Sequence, residues 1–283
     1  MGVDLAPLIV KKEIKLSDLK GKKLAIDTHL VLHQFLETMP KFTDSKGRLT
    51  THLLGLYFRV THLLAEGIKP AFVFDGYEGH PKETRLVSFR IMEESKELLS
   101  YLGCPVIQAP SEGEAQCAFM AKQGKVWAAA SQDYDSLMFG APKLVRNLTI
   151  SRYRKLPKGG KAKVRPELLV LKDTLKKHHI NQKQLIALCM LIGTDFNPKV
   201  PKVGPKGAVK LVKGKKPEQI FKSLPLGYDW KEVFNYITKM STTKDYNLKW
   251  KKYDYGKIIN FLCKERDFKV DRVEAALERI KYD

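Results

Sequence analysis

Short apolar runs that end on a carboxylate recur along the chain, separated by stretches in which apolar residues return every three or four positions. Lys22-Lys23-Leu24-Ala25-Ile26-Asp27 reads as a buried strand ending in an acid, followed by helical spacing through Leu30, Leu32, Phe35 and Leu36. The turn Thr43-Asp44-Ser45-Lys46-Gly47 leads into a second helix striped by Leu53, Leu56, Val60, Leu63 and Leu64. Pro70-Ala71-Phe72-Val73-Phe74-Asp75-Gly76 is another apolar strand closing on an acid. From about Lys82 to Leu102, apolar residues at 87, 91, 98 and 102 predict a helix. Val106–Ala109 and Val126–Ala130 supply two further strands, and Leu144-Val145 reads as the last. Strands alternating with helices predict an α/β fold, a mostly parallel central sheet flanked by helices. In such sheets the functional crevice lies beyond the carboxyl ends of the strands. Asp27, Asp75 and Asp133 sit there.

After this α/β core (1–150), residues 151–166 are basic and turn-rich, which predicts a hairpin or linker. The remainder (167–283) reads as mostly helical: Glu167–His178, Asn181–Ile192, Lys206–Lys213 and Glu274–Lys281. No internal repeat or low-complexity block interrupts it.

Charge sharpens the picture. Among 283 residues, 51 Lys and Arg face 31 Asp and Glu, a net charge of +20, the electrostatic footprint of a polyanion binder. With 43% hydrophobic residues the chain can bury a substantial core, and no apolar run is long enough to span a bilayer. The N-terminus lacks a signal peptide's apolar centre, and Ala6 stands where a myristoylation signal has Ser or Thr. Cys104, Cys117, Cys189 and Cys263 form no Cys-x-x-Cys pair and read as free, reduced, partly buried thiols of a cytosolic protein.

Against that positive background, acids gather in two phrases. In Ser131-Gln132-Asp133-Tyr134-Asp135 the two acids are two apart, so a continuing strand would place both on one face; the alternative is an Asx-turn. Ser111-Glu112-Gly113-Glu114 carries the Ser-x-x-Glu pattern of a capping box opening the helix Ala115–Lys122. Capping by Ser111 and a cleft-facing role for Glu112 and Glu114 are compatible. Carboxylates are hard ligands suited to Mg²⁺ or Mn²⁺, and two such ions can promote phosphodiester hydrolysis. Asp195, in Gly193-Thr194-Asp195-Phe196-Asn197, adds an acid at a helix end or an ordinary turn. Next, Lys202-Val203-Gly204-Pro205-Lys206 opens a helix bearing Lys206, Lys210 and Lys213, which is either a phosphate clamp or a solvated lysine face.

These segments, with Met1-Gly2-Val3, Val73-Phe74-Asp75-Gly76 and Ala109-Pro110-Ser111-Glu112-Gly113-Glu114, resemble archaeal flap endonucleases of the XPG/Rad2 superfamily from Met1 to about Tyr282. The resemblance implies a PIN-like nuclease core and a structure-specific 5′ nuclease cutting at single-strand/double-strand DNA junctions in replication and repair. It implies two Mg²⁺ ions, or Mn²⁺, held among Asp27, Asp75, Glu112, Glu114, Asp133, Asp135 and Asp195, with Asp75 and Asp133 central to catalysis. It also implies a helix–three-turn–helix around Gly204 that grips duplex and binds potassium. Lys82 matches the catalytic lysine at the base of the family's helical arch, and the matching arginine is Arg85 or Arg90. Gly2, His33, Lys202, Lys206 and Lys210 complete the implied DNA contacts, and a monomer in the cytoplasm, nucleoid-associated in a prokaryote, is expected.

The chain also departs from the family pattern. Only 36 residues separate Asp75 from Glu112, room for about one helix, so either the arch is reduced or a segment of it is absent from this sequence. The Thr38–Phe42 loop is short, and His33 replaces a Tyr. No clamp-binding tail follows Ile280, which weighs against recruitment by a sliding clamp. The rival readings are a 5′ exonuclease or junction resolvase of the same superfamily, and a junction-binding protein without catalysis.

Overall fold

The computed structural model describes residues 3–76, 87–148, 153–155, 161–222 and 224–282. Its strands are β1 (Lys11–Glu13), β2 (Lys23–Asp27), β3 (Lys69–Phe74), β4 (Val106–Gln108), β5 (Ala128–Ala130), β6 (Lys143–Arg146), β7 (Tyr153–Lys155), β8 (Lys161–Lys163) and β9 (Glu167–Val170). The α-helices are α1 (Thr28–Thr38), α2 (Thr51–Ala65), α3 (Phe89–Tyr101), α4 (Gly113–Lys122), α5 (Asp135–Met138), α6 (Leu171–His178), α7 (Gln182–Ile192), α8 (Pro205–Val212), α9 (Pro217–Phe221), α10 (Trp230–Thr238), α11 (Tyr255–Ile258) and α12 (Val270–Leu277). Among the described residues, none is long and apolar enough to cross a membrane.

One sheet runs in the order β1-β9-β6-β5-β2-β3-β4. The block β6-β5-β2-β3-β4 is parallel, and β9 and β1 close one edge in antiparallel pairing. Both faces are covered, as a parallel sheet requires. Along β2, Leu24 and Ile26 join the core beneath α1, α2, α3 and α12, while Ala25 joins the opposite core beneath α4 and α7. The hairpin β7–β8 falls where the basic, turn-rich stretch predicts it.

Three sequence expectations fail here. Leu144-Val145 is not the last strand. Glu167–Val170, read as the start of a helix, pairs with β6 in the register Val145↔Leu168 and Arg146↔Glu167. A short run such as Glu-Leu-Leu-Val fits either state, and the open edge of β6 decides it. The sheet therefore crosses the boundary expected between a core ending at 150 and a helical region starting at 167. Finally, β5 stops at Ala130, so Asp133 and Asp135 do not share a strand face; they lie in a turn and at the start of α5.

Helices α1 and α2 meet at Gly55, where an added Cβ would lie 2.5 Å from the Phe35 ring. Gly55→Ala is expected to destabilise the protein by about 1–3 kcal/mol through overpacking, although Ala is the better helix former. Urea unfolding checks this; an unchanged midpoint would show that Phe35 moves aside freely.

Candidate active site

The carboxyl ends of β2, β3 and β5 set three acids side by side, and the backbone explains how. Asp27 closes β2 and caps α1, its Oδ1 accepting the Leu30 amide at 3.3 Å. Asp75 follows β3, and the next residue donates its amide to the Ser111 carbonyl at 2.6 Å. Gly76 is needed there because a Cβ would collide with the Pro110 carbonyl. That close approach draws the Glu112–Glu114 segment to Asp75, whose Oδ1 accepts the Gly113 amide at 2.7 Å. A Cβ on Gly113 would stand 2.7 Å from Asp75 Oδ1 and 3.7 Å from Asp27 Oδ1. Two carboxylates thus converge on the bare start of α4.

The expected capping box is not formed. The N-cap of α4 is Glu112, not Ser111, and it makes no side-chain cap bond. The first turn is served from a different strand, by Asp75. Sequence spacing alone favours the local partner; the Gly76 contact supplies a remote one.

Ser131, which the sequence reading did not single out, links the two acidic phrases. Its hydroxyl donates to Glu114 Oε1 at 2.7 Å and accepts the Asp133 amide at 3.2 Å. Asp135 accepts the Val3 amide at 2.8 Å, which gives the N-terminal segment a place in the site. His29 Nδ1 accepts the Asp75 amide at 3.3 Å.

The seven acids form one electrostatic unit. Burial, and then the charge of Asp75 with those of Asp133 and Glu112, raises Asp27 well above the usual carboxylate range. Glu114 is raised likewise, by burial and then by Asp135, Asp27 and Asp133. Burial pushes Asp135 up to about 7 despite its bond from Val3, with Asp133 and the exposed Asp195 adding to the rise. Beneath them, burial raises the Cys117 thiol, with the Asp27, Glu114 and Asp75 charges adding.

Among the described residues, no three His, Cys, Asp or Glu side chains close into a ready metal cage. Like charges hold one another apart, and a cation would draw them together. The donor set suits Mg²⁺ or Mn²⁺: hard, mutually repelling oxygens, those of Asp27, Glu114 and Asp135 desolvated as well, whose crowding a divalent ion would relieve.

The expected DNA contacts fall in several places. His33 is half-buried on α1, one turn beyond His29; burial and then His29 lower its pKa, while Asp75 lies close enough to raise it. Gly204 is the N-cap of α8, with Pro205 at the first helical position and no side-chain cap. A Cβ at Gly204 or Gly207 would meet nothing within 4 Å, so the helix start is open. Exposed Lys202 (φ +63°), Lys206 and Lys210 surround it. Arg90 donates to Glu94 Oε1 at 3.0 Å and to the Leu49 carbonyl at 3.4 Å, contacts within α3 and to the segment just before α2, not to the seven site acids. Gly2, Lys82 and Arg85 lie outside the described residues.

Residues 1–96 match the XPG N-terminal domain and residues 103–195 the XPG I-region. Flap endonuclease 1 of Pyrococcus abyssi is 42% identical over 323 aligned positions, covering 99% of this chain and 94% of its own. The Thermococcus onnurineus protein of the same name is 42% identical, with coverage of 99% and 95%. The chain belongs to the flap endonuclease family. Among solved structures, the family member from Methanococcus jannaschii superposes with a TM-score of 0.87 at 32% identity, covering 99% of this chain and 98% of that one. The catalytic core of Rad2 in complex with DNA substrate shares the fold, with a TM-score of 0.77 at 20% identity and 96% coverage of each chain. The alignments to the flap endonucleases span 323 positions against a chain of 283 residues, so these relatives carry at least 40 positions that this chain lacks.

Proposed function

We propose that this flap endonuclease cuts 5′ flaps at DNA junctions with divalent ions held by Asp27, Asp75, Glu112, Glu114, Asp133, Asp135 and Asp195. The single observation that carries the reading is the electrostatic unit itself. A protein of net charge +20 concentrates acids at the carboxyl ends of its strands, and burial holds Asp27, Glu114 and Asp135 in a costly state. A pure polyanion binder gains nothing from carboxylates where phosphate must come. Bound divalent ions would supply an activated water and neutralise charge on the phosphate oxygens. The protein's own part is placement. Asp75 and Gly113 align β3 with α4, Ser131 ties Glu114 to the turn of Asp133, and Val3 steadies Asp135.

Duplex enters from the helical side. The chain from Asp195 to Gly204 links an acid of the site to the open start of α8, so a phosphate backbone gripped by the Lys206 and Gly207 amides leads toward the acids. Potassium near Gly204 would suit the same turn, and branched DNA is the substrate. Binding is expected to ignore sequence and to weaken with salt at a log–log slope of about −0.9 per phosphate contacted. Lys206→Ala should flatten that slope by about one unit in fluorescence-anisotropy titrations. An unchanged slope would move the clamp elsewhere.

Labelled 5′-flap, nicked-duplex and four-way-junction DNA, each incubated with and without Mg²⁺, test the reading. Mg²⁺-dependent release of the flap is expected to dominate; preferred cutting of the four-way junction would assign the chain to resolution instead.

A further inference from the structure

Arg146, on β6, sits directly behind the turn that carries Asp133 and Asp135, and the reaction set out above gives it no task. Its Nε donates to the Gln132 carbonyl at 2.8 Å, and Nη1 donates to the Tyr134 hydroxyl. The guanidinium carbon stands 4.0 Å from the centre of the Tyr134 ring. Arg146 therefore grips the residues on both sides of Asp133. Its ion-pair partner among the described residues is Glu167 on β9, with Nη1 3.7 Å from Oε2, and Glu167 is itself held by Lys11 Nζ at 2.7 Å. A cation this close to a cluster of acids would ordinarily pair with them. Instead Tyr134 and Glu167 engage the guanidinium, so the turn is held by its backbone and its tyrosine and not by an ion pair to its carboxylates.

We propose that Arg146 is a positioning residue for the metal site, holding the Gln132 carbonyl and the Tyr134 side chain so that Asp133, between them, and Asp135 present their carboxylates to divalent ions. The inference rests on the assignment of those two acids as metal ligands. A rigid, planar fork suits the task in a way that a flexible ammonium does not. Partners that orient metal-bound carboxylates are worth about 10- to 100-fold in metal affinity.

The test is Mn²⁺ binding to the DNA-free protein, followed by electron paramagnetic resonance, for Arg146→Lys, Arg146→Gln and Tyr134→Phe, with Asp133→Asn as reference. Arg146→Lys keeps the charge and loses the fork; Tyr134→Phe keeps the ring and loses the hydroxyl. Both Arg146 variants are expected to bind Mn²⁺ about 10- to 100-fold more weakly, and Tyr134→Phe a few-fold more weakly. On flap DNA they should lose kcat at low Mg²⁺ and regain it at high Mg²⁺, with KM for DNA unchanged. Wild-type Mn²⁺ affinity in Arg146→Lys, with Asp133→Asn impaired, would overturn the positioning role alone. A lowered melting temperature with unchanged Mn²⁺ affinity of the folded protein would overturn it too, as a purely structural contact. Wild-type affinity in Asp133→Asn would remove the metal-site reading and this inference with it. If Arg146→Gln does not fold, Arg146→Lys and Tyr134→Phe decide.

Discussion

Asp133→Asn is expected to lower turnover on a 5′ flap by roughly three orders of magnitude or more while leaving DNA binding intact or tighter. The acid lies in the turn between Ser131 and Asp135, and it adds to the charge that raises Asp27, Glu114 and Asp135. Asparagine keeps the shape and removes one ligand charge. An ion lost or displaced takes with it several kcal/mol of transition-state charge stabilisation, and each 1.36 kcal/mol is a factor of ten in rate. Phosphate, meanwhile, meets one fewer negative charge, which favours binding of the substrate. Single-turnover cleavage at saturating Mg²⁺, with affinity measured separately in Ca²⁺, separates the two effects. Turnover within tenfold of wild type would end the assignment of Asp133 as a metal ligand.

The largest effect on stability is expected at Glu94, whose hydrogen-bond partners do not include the site acids. Its carboxylate, on α3, meets His52 Nε2 of α2 at 3.0 Å, Arg90 Nε at 3.0 Å and Arg266 Nη2 at 3.0 Å. His52 is fully buried and Arg266 only 9% exposed. Burial by itself would raise Glu94; the hydrogen bonds from His52 and Arg266 and the charges of His52 and Arg90 outweigh it and hold the carboxyl at about 2. Glu94→Ala leaves the Arg266 guanidinium buried without its acid partner on α3, and removing one partner of a buried pair costs about 3–5 kcal/mol. Urea unfolding at pH 7 measures it; a loss below about 1 kcal/mol would show that Arg266 finds water or another acceptor. The same group dictates an acid response. Because its folded pKa lies below the ordinary 4.5, its contribution is complete above that value and fades as pH falls toward about 2. The shift corresponds to about 3 kcal/mol. Wild-type stability should therefore drop across that window, and Glu94→Gln should show a shallower drop.

Much of the site was legible in the sequence because its signals are local. An apolar run ending in an acid, as at Ile26-Asp27 or Phe74-Asp75, states both a strand and what stands at its crevice end, and parallel pairing of β2 with β3 and β5 then sets those ends together. The helix start at Gly204-Pro205 is likewise a matter of neighbours in the chain. What stayed hidden depends on partners far away in sequence. Glu167–Val170 became a strand because β6 offered an unpaired edge. Asp75 took over the start of α4 because Gly76 lets two backbones touch across a gap of more than thirty residues. Arg146 carries no motif, and its role follows from where β6 places it behind the Asp133 turn. The chain's own order thus determined that Asp27 and Asp75 would stand at the crevice ends of strands and that the chain around them would be basic. Tertiary packing alone decided how far those acids are desolvated and what holds them in place, since burial and long-range contact exist only once the strands have paired.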